Sequence, residues 1–254
     1  LMTSCGEYQS LLKSNDYNLV YKKAIEYYNK GDYQRAMNLL DGVRSVFVGQ
    51  AKAQNIAYYR AFCSYNMKDY QIASDLFKQF IQTYPESSFA EECLYMMGFC
   101  DYKASPKPRL DQQVTEKAIR EFQLYLSRYP YSMRKDKVNT YMDEMRDKLS
   151  YKAYLSAKNY YLREHYKAAV ISLQNCLKDY PGSKYREEIM YMLFVSKYQM
   201  AVNSVEDKKV ERYNNAREEY YYFADEYPNS RYAADVKKMY EDIEAYLENY
   251  KFED

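Results

Sequence analysis

Apolar side chains along this chain return with a helical rhythm, and the rhythm itself recurs. Residues 58–87, YYRAFCSYNMKDYQIASDLFKQFIQTYPES, show the unit. A first helix carries a small residue, Ala61, where a neighbouring helix must come close, and a polar turn follows over residues 66–69. A second helix opens near Tyr70 and sets Ala73, Phe77, Phe80 and Ile81 at helical spacing. Tyr84-Pro85 stops it, because proline drives the preceding residue out of the helical region. Ala24 and Ala36, Ala61 and Ala73, and Ala157 and Ala169 are each 12 apart. The same interval of 12 leads from Ala73 to Pro85, Ala118 to Pro130, Ala169 to Pro181 and Ala216 to Pro228. Tyr-Pro-x-Ser closes four units, at Ser87, Ser132, Ser183 and Ser230, and each serine is placed to cap the next helix. Ala24 to Ala61, Ala61 to Gly98 and Ala157 to Phe194 span 37 residues, whereas Gly98 to Ala157 spans 59. The surplus of 22 divides into 8 around Ser105-Pro-Lys-Pro and 14 after Pro130.

A period in the thirties, with small residues at both crossing points and a terminal proline, resembles the tetratricopeptide repeat, a helix-turn-helix hairpin. With Ala24, Ala61, Gly98, Ala157 and Phe194 at the eighth position of that consensus, its second alanine falls on Ala36, Ala73, Ala118, Ala169 and Ala216. Its proline falls on Pro85, Pro130, Pro181 and Pro228. Val48 departs from it in the first unit, and the bulky Phe194 predicts a wider spacing in the fifth. The expected fold is all-α, a tetratricopeptide-repeat superhelix of five helical hairpins plus a C-terminal capping helix.

Three segments follow. Residues 1–16 read as a lipoprotein signal remnant and a polar tether. Residues 17–132 hold repeats 1–3, with a turn lengthened over 103–113 by two prolines. Residues 133–254 hold repeats 4–5 and the cap. Val138, Tyr141, Met142, Met145 and Leu149 predict a first helix of unit four that starts early and runs long, and a second lengthened turn is expected over 203–212. The last helix shows Val236, Met239, Tyr240, Ile243, Leu247 and Tyr250 on one face, before Glu253 and Asp254 end the chain.

Lysine plus arginine number 37 against 36 acids, which removes a bulk electrostatic case for nucleic acid and points to protein partners. No 18-residue apolar run is present. Cys63, Cys93, Cys100 and Cys176 sit among apolar residues as small hydrophobes, with a disulfide possible but not assignable. Cys93 and Cys100 lie seven apart with no histidine near, unlike a zinc site. The single His165 falls in a turn, and Glu91, Glu92, Glu187 and Glu188 follow helix starts, where acids complement the dipole. Six scattered glycines build no phosphate loop. Nothing here points to catalysis, a cofactor or a metal.

Tyrosine is the anomaly, at 35 residues with no tryptophan. The fifth and twelfth consensus positions hold Tyr21 and Tyr28, Tyr58 and Tyr65, Tyr95 and Tyr102, Tyr154 and Tyr161, and Tyr191 and Tyr198. Seven apart, each pair shares one helix face, which lines the concave groove in tetratricopeptide arrays. Two readings stand together: rings packed between helices with hydroxyls at the rim, or an aromatic ladder for an extended peptide.

Residues 1–6, LMTSCG, look like the end of a bacterial lipoprotein signal, making Cys5 the lipidated residue. Two acyl chains would anchor it stably, each buried methylene adding about 0.8 kcal/mol. Cys5, the short tether, the five units, the Tyr-Pro-x-Ser endings and the closing helix together resemble the BamD family of lipoproteins. These belong to the outer-membrane β-barrel assembly machinery. The resemblance implies a non-enzymatic scaffold on the periplasmic side of the outer membrane, with neither nucleic acid nor a small-molecule substrate. It implies that Tyr21, Tyr28, Tyr58, Tyr65, Tyr95 and Tyr102 meet the targeting strands of unfolded outer-membrane proteins. The surface of unit five and the last helix, with Tyr191, Tyr198, Tyr240 and Tyr246, would dock on the barrel subunit BamA. The alternatives are a SusD-like glycan-capturing lipoprotein, which the lack of tryptophan disfavours, and a general envelope-coordinating repeat protein.

Overall fold

The computed structural model describes the backbone of residues 3–251 and the side chains of residues 6–250. Among the described residues there are twelve α-helices and no strand: α1 (Thr3–Leu12), α2 (Tyr17–Asn29), α3 (Tyr33–Val43), α4 (Ala51–Asn66), α5 (Tyr70–Thr83), α6 (Ala90–Ala104), α7 (Gln113–Arg128), α8 (Lys135–Leu162), α9 (Tyr166–Asp179), α10 (Arg186–Val202), α11 (Glu206–Glu226) and α12 (Ala233–Lys251). Helices α2 to α11 pair in order as five hairpins, and α12 closes the series. The expected crossing points are the most buried residues: Ala24, Ala36, Ala61, Ala73, Ala118, Ala157, Ala169 and Ala216 are all at 0% exposure.

Each hairpin is built by two local devices. At the turn, Gly31, Lys68 and Glu164 occupy the same register position with positive φ, 81°, 67° and 60°. Their amides and those of the following residues bond back to the first helix, as from Asp32 to Tyr27 (3.0 Å), Asp69 to Ser64 (3.0 Å) and His165 to Tyr160 (3.0 Å). This is a Schellman stop, which satisfies the last carbonyls of the first helix. At the far end, Tyr84, Tyr129, Tyr180 and Tyr227 leave the helix at φ between −126° and −132°, ahead of the prolines.

The serine after each proline is not the N-cap expected for the next helix, since Phe89 and Tyr185 hold the N-cap positions of α6 and α10 without a side-chain cap bond, but it does fix the loop. Its hydroxyl accepts the amide two residues on, at 3.0–3.2 Å in all four loops, so it closes a serine turn just ahead of the helix. It also reaches the first helix of its own hairpin, near the start of α4, α6 and α10 and midway along α8. Ser87 donates to Gln54 (2.9 Å), Ser132 to Glu91 (2.7 Å) and Ser230 to Glu187 (2.7 Å), while Ser150 donates to Ser183 (2.8 Å). Glu91 and Glu187 therefore receive these clasps in addition to favouring the helix dipole.

Two compact units divide inside α8, one ending at Met145 and the other beginning at Arg146. The first holds a core around Ala36, Leu39, Leu40 and Ile56 and another around Phe77, Phe80, Phe122 and Tyr125. The second holds one core around Leu173 and Leu193 and one around Phe194, Phe223 and Ile243.

Three further expectations are corrected. Residues 5–16 are not a polar tether: α1 buries Tyr8 and Leu11 against the first hairpin. Tyr8 accepts from Asn38 (2.9 Å) and meets Tyr27 edge-on at 5.9 Å. Residues 203–212 do not form a long turn. The insertion, free of proline and glycine, instead winds into an α11 of 21 residues with Glu206 and Asp207 in its first turn. In α12, Val236, Ile243 and Leu247 are buried, but Tyr250 is exposed because it lies past the last core layer. The early start of α8 and the proline-bearing loop over 105–112 agree with expectation, the loop being held by buried Gln112, which donates to the carbonyls of Lys107 (2.8 Å) and Leu110 (3.1 Å).

Candidate functional site

None of the ten register tyrosines is exposed; Tyr95 and Tyr154 are buried and the rest half-buried. In the N-terminal unit they form a connected aromatic seam. Tyr28 meets Tyr59 edge-on (4.9 Å), Tyr59 meets Tyr58 (5.6 Å), and Tyr58 packs on Phe62 and Phe89, both at 4.6 Å. Phe62 passes contact to Tyr65 (6.3 Å), Tyr65 to Phe99 (6.2 Å), and Phe99 stacks on Tyr102 (5.9 Å). Tyr102 in turn stacks on Tyr141 of α8 at 4.4 Å. Tyr95 lies under the Arg134 guanidinium, 4.5 Å from it, and Tyr21 packs on Phe47 at 6.1 Å.

The hydroxyls divide into two kinds. Tyr28 accepts from Asn66 and Tyr102 donates to Glu144, so both are committed. Tyr58 and Tyr65 have no protein partner among the described residues, and neither oxygen is sealed from solvent, so both face water. Burial pushes the phenols of Tyr28 and Tyr58 up to about 12, which leaves them neutral hydrogen-bond donors at any physiological pH. The seam thus offers ordered ring edges beside two free hydroxyls.

In the C-terminal unit the register tyrosines are clamps. Tyr154 stacks on Tyr185 (4.3 Å) and accepts from Lys158 (2.8 Å), which also bonds Glu188. Tyr191 stacks on Tyr232 at 4.0 Å, and Tyr198 donates to Asp242 at 3.2 Å. Tyr240 lies flat on Tyr220 (4.0 Å) and Tyr246 leans on Tyr213 (4.4 Å), fastening α12 to α11. Their ring faces belong to the fold, Tyr154 is buried, and the hydroxyls of Tyr198, Tyr240 and Tyr246 are bonded at exposed positions to Asp242, Tyr221 and Glu206. The same hairpins frame a cleft of ≈ 710 Å³ with His165, Lys167 and Arg212 around Ile171 and Met200. His165 and Arg212 hold the register position of the aspartates Asp32 and Asp69, so an imidazole and a guanidinium stand where earlier hairpins place acids.

A buried charged cluster escaped sequence reasoning. Asp101 accepts from Ser74 (3.0 Å) and from Lys117 (2.8 Å), while Glu121 lies 3.7 Å from the same ammonium. Burial, and then Asp101, raise the Glu121 carboxyl to about 8. The signal was available: Asp101 and Glu121 each follow a crossing-point residue by three, on the inward face. Cys63, Cys93, Cys100 and Cys176 are free and buried, with burial pushing the Cys63 and Cys93 thiols up to about 12, so they are inert as nucleophiles. The side chain of Cys5 lies outside the described residues. Among the described residues no group of three or more His, Cys, Asp or Glu could hold a metal ion, and no helix is long and apolar enough to cross a membrane.

A family model described as outer membrane lipoprotein, YfiO, matches residues 13–188 and 152–253. No curated protein matches the chain. Solved structures similar to it include the TPR2AB-domain:pHSP90-complex of yeast Sti1, 14% identical with a TM-score of 0.41, covering 90% of this chain and 98% of that one. Another is a TPR repeats protein from Bacteroides fragilis NCTC 9343, 13% identical with a TM-score of 0.43, covering 91% and 99%.

Proposed function

The chain belongs to the outer membrane lipoprotein family YfiO, and from that premise we propose that it is a scaffold of the outer-membrane β-barrel assembly machinery. In this reading it is a non-enzymatic protein held on the periplasmic side of the outer membrane by acyl chains on Cys5. Its N-terminal hairpins receive the targeting strands of unfolded outer-membrane proteins, and its C-terminal hairpins dock on the BamA-like barrel subunit.

The seam from Tyr28 to Tyr102 carries the reading. Its rings are already ordered by their neighbours, so a ligand immobilises little, and its free hydroxyls at Tyr58 and Tyr65 can meet the backbone of an extended strand. Buried Tyr95 supports the seam by stacking on Phe99 at 5.7 Å, and Tyr21, packed on Phe47, adds a separate aromatic contact in the first hairpin. For the barrel subunit, the surface of Tyr191, Tyr198, Tyr240 and Tyr246 and the cleft bearing Lys167 and Arg212 suit a partner that brings acidic side chains.

The test uses a labelled peptide ending in an aromatic β-strand residue, titrated into the full chain. Tyr58→Phe with Tyr65→Phe removes two hydroxyls and no ring, so binding should weaken roughly tenfold with the melting temperature unchanged. A soluble polysaccharide should not bind. If it binds and the peptide does not, the glycan-capturing reading replaces this one.

A further inference from the structure

Away from the tyrosine seam, α5, α6 and α7 enclose a cleft of ≈ 360 Å³. Leu94 and Met97 of α6 are its buried floor, Ile81 and the half-exposed Leu124 flank it, and Lys78 and Arg120 stand at its exposed rim. That volume and apolar lining fall in the range of small-ligand sites.

The repeat supplies an internal control. One step earlier in the register, the places of Met97 and Lys78 are held by Arg60 and Asp41, which close on each other in an ion pair of 2.6 Å. Met97 has no charge to offer, so Lys78 makes no ion pair among the described residues. The position that carries an anion in one hairpin carries a solitary cation above an apolar floor in the next.

Glu121 lines the same cleft at 8% exposure, with Oε2 buried and without a donor. The groups around it are Ser74, Asp75 and Lys78 of α5, Asp101 of α6, and Lys117 and Arg120 of α7. Buried Asp101 and Glu121 share a single nearby ammonium, Lys117, which the exposed Asp75 also meets at 3.9 Å, so a proton on Glu121 relieves an excess of negative charge. With Glu121 neutral, Lys78 is the lining cation without an ion pair among the described residues, while Lys117 is held by Asp101 and Arg120 lies 4.0 Å from the exposed Glu116. Its residues lie inside three helices, whose backbone groups are already bonded, so an extended peptide would find no main-chain partner here.

We propose that this cleft binds a single alkyl chain bearing a carboxylate, a ligand of the fatty-acid class, with the chain on Leu94 and Met97 and the carboxylate between Lys78 and Arg120. The cationic rim selects the head group and the floor takes the tail. Binding at this cleft does not depend on the strand-receiving role of the tyrosine seam.

Laurate titrated calorimetrically into the full chain, below its micellar concentration, is the probe. It should bind in equal stoichiometry, with dodecylamine and dodecyl maltoside at least ~tenfold weaker. Met97→Arg with Lys78→Asp installs the ion pair of the preceding hairpin, and should weaken laurate by ~tenfold or more while the protein stays helical. Should that pair unsettle the fold, Lys78→Ala alone must still reduce laurate binding. Equal binding of all three amphiphiles, undiminished binding by these variants, or binding only of a peptide ending in a phenylalanine carboxylate would overturn the proposal.

Discussion

Gly98 of α6 lies beneath the ring of Phe122 of α7, so close that a Cβ on Gly98 would stand 2.9 Å from Cδ1 of the ring. Phe122 is itself fully buried and has nowhere to retreat. Hairpin two keeps Ala61 with Phe77 at the register position of Phe122, so it is the placement of the Phe122 ring against α6, not phenylalanine as such, that leaves no room for a Cβ at Gly98. Gly98→Ala gains up to about 1 kcal/mol of helix propensity but overpacks the core by about 1–3 kcal/mol. A net loss in denaturant unfolding is expected, with Gly98→Ala and Phe122→Leu together recovering part of it. Additive losses in the double variant would refute the clash as the cause.

Lys68 and Glu164 sit in the left-handed conformation that Gly31 occupies at the same place in hairpin one. A side chain there costs about 1 kcal/mol that glycine avoids. Lys68→Gly and Glu164→Gly should each raise stability by roughly 0.5–1 kcal/mol, and Gly31→Ala should lower it by a similar amount. Chemical denaturation of the three variants decides, and a destabilised Lys68→Gly is the contrary result.

The carboxyl of Glu121 is raised from 4.5 in an unfolded environment to about 8 in the fold, by burial first and Asp101 next. Between those values the folded chain keeps a proton that the unfolded chain has released, so stability falls as pH rises through the window and levels off outside it. Glu121→Gln places an amide N–H where the proton sits and should flatten that slope. Melting temperatures of the two proteins across the window provide the measurement; parallel curves would mean that Glu121 is not the group responsible.

Ser132 ties together Glu91 (2.7 Å) and the hydroxyl of Tyr125 (2.6 Å), the latter a fully buried residue. Ser87, by contrast, donates to the neutral Gln54 alone. Ser132→Ala should thus cost about 1–3 kcal/mol, more than Ser87→Ala, because the buried phenol and the carboxylate each lose one of their bonds and keep the direct one between Tyr125 and Glu91 (3.0 Å). Comparable losses in the two variants would show that the Tyr125 contact contributes nothing.

The register of the hairpins was legible because alanine, proline and serine recur at positions where sterics and backbone geometry leave few choices, and all eight crossing-point alanines are fully buried. The long α8 was legible from Val138, Met142 and Met145, which keep the helical period. What failed had weak local signals. In α1 only Tyr8 and Leu11 mark the buried face, too few for a periodic pattern, and Tyr8 is held by partners 19 and 30 residues away, Tyr27 and Asn38. Over 203–212 the extra residues match an ordinary turn in polarity, and tertiary packing of Tyr213 decides for helix. The ten tyrosines were found by register, but whether a ring is a clamp or an open edge depends on its cross-helix neighbour: Tyr232 covers Tyr191, whereas no group takes up the hydroxyl of Tyr58.

The serine clasps join residues 33, 41, 33 and 43 apart in sequence, yet their geometry hardly differs. The additional eight to ten residues in hairpins three and five are spent at the opposite end, as a proline-bearing loop and as added helical turns. A fastener blind to the length of thread between its two halves lets the polypeptide grow outward without disturbing the hinge, and those tips are where a lineage, or an engineer, can graft new recognition.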